Sequence, residues 1–192
     1  MTTTIMMMIP SCRTSRQCQI LPPIPHYDCY EDLDELDVDA IFAPCAEEND
    51  EASFRVIGIV HNQYKFGVLI FDSVSGSWTV GASASWEALS LSNERGYPLL
   101  RPFYVYGTLY WKVYEMNKLL KLDIDRMVFS TVNLPLGHDK QHVGIVEAGG
   151  GRIGMFSCTV DPKSLIYYYY NSMQKEDQKD NEWGIKDIIP LP

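Results

Sequence analysis

Val68-Leu69-Ile70-Phe71-Asp72-Ser73-Val74-Ser75-Gly76-Ser77-Trp78-Thr79-Val80 returns in weakened form as Leu119-Leu120-Lys121-Leu122-Asp123-Ile124-Asp125-Arg126-Met127-Val128-Phe129-Ser130-Thr131. Each copy is an apolar run closing on Asp, then a short polar turn, then an aromatic residue six positions after that Asp. Asp72 and Asp123 are 51 residues apart, and a third aromatic exit, Asn181-Glu182-Trp183-Gly184-Ile185, lies 54 residues beyond Phe129. A period near 50 with several strands per unit matches kelch-like propeller blades, each too small to bury its apolar face without a neighbour. A repeat of this kind points to a binding scaffold before it points to an enzyme.

Composition agrees with strands and turns. The chain has 192 residues, enough for one domain with a real core, and is rich in aromatic and β-branched residues, with 13 Gly and 11 Pro. No stretch approaches the ~20 apolar residues that a membrane-crossing helix needs. Ile5 to Ile9 is apolar but short and lacks a basic flank, so no signal peptide is read. Cys12, Cys18, Cys29, Cys45 and Cys158 form no CxxC pair and no even framework. They read as reduced thiols of a cytoplasmic or nuclear protein, with a zinc site the minor alternative. The net charge of −9 is local in origin. Residues 28–51 hold 11 of the 25 acids and no Lys or Arg, which leaves 14 acids against 16 bases elsewhere. A near-neutral body without a basic stripe argues against nucleic acid as the partner.

Along the chain, residues 1–15 read as a disordered N-terminus and residues 16–192 as one β-domain interrupted by an acidic loop at 28–51. Cys18 to Pro25 reads as a short strand stopped by prolines. The acidic run favours a solvated loop, with at most one helical turn around Leu33, Leu36 and Val38. Three antiparallel strands are expected from Phe54 to Val80, with 83–100 unclear. A second unit opens at Phe103, turns at Gly107, takes Lys112–Lys118 as a polar turn, and closes with Leu119–Asp123 and Val128–Val132. A third runs from Val143 through Ala148-Gly149-Gly150-Gly151 to Ser157. Leu165–Tyr170, a charged loop at 171–182 and Trp183-Gly184-Ile185 complete it. The expected fold is therefore all-β, a partial kelch-like propeller of about three antiparallel blades plus a remnant strand.

Several of these segments, in this order, resemble the F-box-associated β-propeller domain of plant F-box proteins, particularly of grasses. They are Leu21-Pro22-Pro23-Ile24-Pro25, Ser53-Phe54-Arg55-Val56, Val74-Ser75-Gly76-Ser77-Trp78, Tyr106-Gly107-Thr108-Leu109-Tyr110-Trp111, Leu120-Lys121-Leu122-Asp123, Phe129-Ser130-Thr131-Val132, Ile145-Val146-Glu147, and Asn181-Glu182-Trp183 to Ile188-Ile189-Pro190-Leu191-Pro192. The resemblance implies a substrate receptor of an SCF-type ubiquitin ligase, whose propeller presents a surface to the protein to be ubiquitylated. In that family an N-terminal helical F-box docks on a Skp-type adaptor. Nothing before Ser11 carries the Leu/Pro-rich amphipathic pattern of an F-box, so adaptor binding is expected only if an F-box is supplied elsewhere. A truncated or inert propeller fragment and a kelch-type propeller enzyme are the competing readings.

Chemistry-bearing patterns are few. His138 and His142 are spaced i, i+4, but the flanking Pro and Gly favour a loop, which breaks the geometry a shared metal needs. Gly149-Gly150-Gly151-Arg152 is followed by a strand, where a phosphate loop needs a helix. Asp72 and Asp123 read as turn caps, since an Asp side chain readily accepts from backbone N–H groups two and three residues on. Trp78, Phe129 and Trp183 read as core between blades. No catalytic, cofactor-binding or metal-binding residue is assigned, and no cofactor is expected. Tyr167, Tyr168, Tyr169 and Tyr170 alternate across a strand and are the expected partner surface, because exposed Tyr is favoured at interfaces. The expected partner is a protein substrate, with no nucleic acid and no membrane.

Overall fold

The computed structural model describes residues 6–11, 15–24, 37–43, 54–62, 64–91, 99–161, 164–173 and 182–190. Among them there is no helix, and hence none long and apolar enough to cross a membrane. The strands form antiparallel sheets, none closed into a barrel. The chain divides into two units, Met1–Leu91 and Ser92–Pro192.

The first unit opens with a hairpin of β1 (Met6–Ser11) and β2 (Ser15–Ile20), paired from Met6↔Ile20 to Ser11↔Ser15. The composition of this stretch favours disorder, yet its backbone pairs. Where a single remnant strand is expected there are two. Leu21-Pro22-Pro23 ends β2, since Pro has no N–H to extend a ladder.

A four-stranded sheet follows, β3 (Asp37–Ala43), β4 (Arg55–His61), β5 (Lys65–Asp72) and β6 (Ser77–Ser85), paired in chain order. β3 lies inside the acidic run where a solvated loop is expected. As an edge strand it uses one side of its backbone on β4 and keeps Asp39 exposed, so that carboxylate stays hydrated. The postulated helical turn does not form at Val38, which pairs with Val60; Leu33 and Leu36 lie outside the described residues. β4 and β5 are buried along nearly their whole length, as expected for inner strands covered on both faces. Leu21, Val56 and Phe71 form one buried cluster with Phe42, Phe54 and Trp78 against it; Val60 and Leu69 form another with Ile24, Val38 and Trp78. The segment after β2 is thus anchored by Leu21 and Ile24. Leu21 is fully buried, worth about 1.5–3 kcal/mol of apolar transfer. Residues 86–90 form turns around a buried Trp86, whose indole N–H donates to Asn62 O at 2.7 Å.

The second unit holds two four-stranded sheets. One is β7 (Phe103–Val105), β8 (Thr108–Val113), β9 (Lys118–Asp123) and β10 (Val128–Asn133). The other is β11 (Val143–Glu147), β12 (Ile153–Asp161), β13 (Ser164–Met173) and β14 (Glu182–Pro190). Val105, Tyr110, Leu119, Val132 and Leu134 from the first close on Val143, Ile145, Ile153 and Met155 from the second. Three four-stranded antiparallel sheets plus a two-stranded one are compatible with a partial propeller of three blades and a remnant. The polar turn expected over Lys112–Lys118 is shorter, residues 114–117; Lys112 belongs to β8 and is 1% exposed.

Candidate functional site

Tight turns collect at one end of the second unit, and their backbone chemistry explains the grouping. β7 and β8 are joined by Tyr106 (φ 47°) and Gly107 (φ 72°), two successive left-handed residues that match the natural twist of a two-residue hairpin. The β9–β10 turn begins at Asp123, whose Oδ1 accepts from Arg126 N at 2.9 Å. Ile124 N–H of that turn donates to Gly107 O at 3.1 Å, tying the two turns together. The β11–β12 turn runs through Gly149, Gly150 and Gly151, all at positive φ, and Gly149 N–H donates to Tyr106 Oη at 3.1 Å. Neighbouring sheets thus share one rim.

The rim exposes Tyr104 and Tyr106, each a little under half exposed, with Val128, Asp125, Arg126 and Arg152. Arg126 reaches Asp123 at 4.0 Å, and Arg152 Nε donates to Gly149 O at 3.4 Å, so both guanidinium groups keep donors for a partner. Tyr and Arg are the residue types that protein interfaces favour. The rim has a plain physical character: rigid backbone, aromatic faces and two Arg forks.

The first unit carries the same turn without the cluster. Asp72 Oδ1 accepts from Val74 N at 2.8 Å and Ser75 N at 3.2 Å, and Gly76 N–H donates to Asp72 O. These backbone donors, with Arg55 at 3.4 Å, hold the Asp72 carboxyl below the usual carboxylate range. Asp72 and Asp123 are turn caps, as the sequence predicts.

The other sequence candidates separate. Tyr167 to Tyr170 lie on β13, an inner strand with β12 on one side and β14 on the other; Tyr168 pairs with Ser157 and Tyr170 with Met155. Their side chains lie outside the described residues, as do Cys12, Cys29 and Cys45. His138 is buried and His142 exposed, so the pair does not face one point. Among the described residues no group of three or more His, Cys, Asp or Glu could hold a metal. The three glycines turn into strand β12, which is hairpin chemistry. Trp78 and Trp183 pack as core, and each indole N–H donates to a backbone carbonyl just beyond or at the end of an earlier strand: Trp78 to Pro22 O at 2.8 Å, Trp183 to Asn133 O at 2.7 Å. Phe129, the counterpart of Trp78, is half-buried on β10.

Lys112 is the residue that sequence reasoning misses. Its Nζ donates to Val113 O, Met116 O and, at 3.1 Å, Asp139 O. Three carbonyls match the three donors of an ammonium group. Burial lowers its pKa to about 8, opposed by the Asp139 charge. The saturated ammonium clamps the 114–117 turn and the 138–142 loop to β8; it is a staple rather than a nucleophile. Ser157 Oγ, at 2.6 Å from Gln141 Oε1, fixes the same loop to β12.

Compared with known proteins, the chain matches no family model, no curated protein and no solved structure.

Proposed function

We propose that this chain is a protein-binding module, and that its partner docks on the rim formed by Tyr104, Tyr106, Arg126, Val128 and Arg152. The observation that carries the reading is the hydrogen-bonded junction of three turns, which holds those side chains on fixed backbone. A preorganised aromatic and Arg surface loses little conformational entropy when a partner binds. Resemblance to the F-box-associated propellers extends the reading to substrate recognition for SCF-type ubiquitin ligation, in the cytoplasm or nucleus. The Skp-type adaptor is engaged only where an F-box is supplied.

This reading makes a prediction about protein turnover. A module that presents a substrate to the ligase speeds its degradation. Proteins captured by the wild-type chain and lost from a Tyr106→Ala/Arg152→Ala chain are identified first. Their half-lives are then followed in cells as the wild-type chain is expressed. Shortened half-lives, with no effect of the double variant, are expected. Unchanged half-lives overturn the ubiquitin reading, and capture that ignores the double substitution overturns the rim.

A further inference from the structure

The geometry points to an acidic but interrupted partner segment at the rim: one carboxylate for Arg126, one for Arg152, and apolar residues between them. This inference rests on the rim reading above and adds the chemistry of what docks there. The Arg126 side chain is 82% exposed and meets Asp123 Oδ2 only at 4.0 Å. Arg152 spends its Nε on Gly149 O at 3.4 Å, and its terminal amino groups have no partner among the described residues. Each fork is therefore open to a carboxylate, which it takes in two parallel N–H···O bonds.

The space around Arg152 suits the same ligand. Tyr106 Oη accepts the Gly149 N–H at 3.1 Å, which leaves the hydroxyl its own proton to donate. No atom lies within 4 Å of a Cβ built at Gly149, Gly150 or Gly151, so a partner's main chain has close access to that turn. The Tyr106-Gly107 hairpin is bonded to both arginine-bearing turns, through Gly149 N–H and through Ile124 N–H, and so lies between them. The stretch between the partner's acids then covers Tyr104, Tyr106 and Val128, the last 55% exposed.

The rim's own acids set the interruption. Asp123 is occupied as a turn cap, but Asp125 and Glu147 are exposed on the same turns. Asp125 Oδ2 would lie 3.9 Å from a Cβ at Gly107, beside Tyr106. Like charges set against each other at an interface are costly, so a uniformly acidic segment is rejected where a spaced pair is accepted.

A phage-displayed library of random peptides, panned on the full chain and counter-screened on the Tyr106→Ala/Arg152→Ala chain, tests the proposal. Clones lost on the double variant are expected to carry two Asp or Glu separated by apolar residues. The consensus peptide is then synthesised and titrated by fluorescence polarisation. Arg126→Gln and Arg152→Gln should each weaken it at least about fivefold. Each loss should vanish once the facing acid is exchanged for its amide, because the pair acts as a unit. Lys140→Gln, the same charge change in the 138–142 loop, should leave binding unchanged. Circular dichroism confirms that each variant keeps its strands. A library with no clone that distinguishes the two chains overturns the rim and this proposal together. Rim-dependent clones without acids, or a peptide that binds as well with its acids moved side by side, leave the rim standing and overturn the acidic partner.

Discussion

Aligned on Asp72 and Asp123, the sheets β3–β6 and β7–β10 put different side chains at matching backbone positions. Gly58 stands where the second sheet has Trp111, Ile59 where it has Lys112, Gly76 where it has Met127, and Trp78 where it has Phe129. In the first sheet the indole sits on the fourth strand, so close to Gly58 that a Cβ there would lie 2.9 Å from Trp78 Cζ3. In the second, the large ring is on the second strand and the fourth carries a Phe. One indole's volume has moved between strands while the pairing register next to the Asp turns stayed the same. Backbone plan and side-chain solution are therefore separable, and the plan is set by the turns.

The sharpest contrast is Ile59 against Lys112, both 2% exposed or less. A lysine whose folded pKa is about 8 against 10.5 binds fewer protons folded than unfolded across that interval. Stability then rises with pH from about 8 to 10 and is lower below 8, the full difference being about 3 kcal/mol. Burial raises the Tyr110 pKa, which opposes the trend above pH 10, so the window closes there. Urea unfolding across pH 7–10 should show this rise in the wild type and none in Lys112→Ile. A slope that survives the substitution would place its origin elsewhere.

Gly58 and Trp78 come next. Gly58→Ala should cost about 2 kcal/mol by overpacking a rigid indole. In a Trp78→Phe background, which imitates the second sheet, the same change should cost less than half as much. Equal costs in the two backgrounds would separate Gly58 from the ring. Trp78→Phe and Trp183→Phe each remove a donor to a backbone carbonyl, so each should cost about 1 kcal/mol beyond its packing loss. Two buried-ring deletions without that increment would make the indole N–H bonds incidental.

The smallest effect is at the turn. Met127 holds φ 54° where the first sheet has Gly76 at 66°. A left-handed conformation costs a residue with a Cβ about 1 kcal/mol, so Met127→Gly should raise the midpoint and Gly76→Ala lower it. No atom lies within 4 Å of a Cβ at Gly76, so the second change reads backbone conformation alone.

What the sequence reveals follows the range of the forces involved. The Asp caps, the Tyr106-Gly107 hairpin and the Gly149–Gly151 turn are legible because Asx and glycine chemistry acts over two or three residues. β3 is not, because its acids outweigh Val38, Ile41 and Phe42 in any window; only pairing with β4 reveals an edge strand that keeps Asp39 exposed. Lys112 reads as the start of a polar turn because two of its three carbonyl partners lie in loops, one of them 27 residues away. Met127 gives no glycine signal, since register with Gly76 alone sets its φ. The rim is missed for the same reason. Tyr106 and Gly149 are 43 residues apart, and each alone reads as an ordinary turn.

The binding surface is the centre of this reading, and one comparison addresses it directly: titration of a captured partner against two double variants of equal thermal stability. Tyr106→Ala/Arg152→Ala should weaken binding by at least about tenfold, the scale expected for removing interface anchors. Tyr168→Ala/Tyr170→Ala on β13 should leave it near the wild-type value. Loss of binding in the β13 variant with retention in the rim variant would contradict the assignment and return the surface to the tyrosine run.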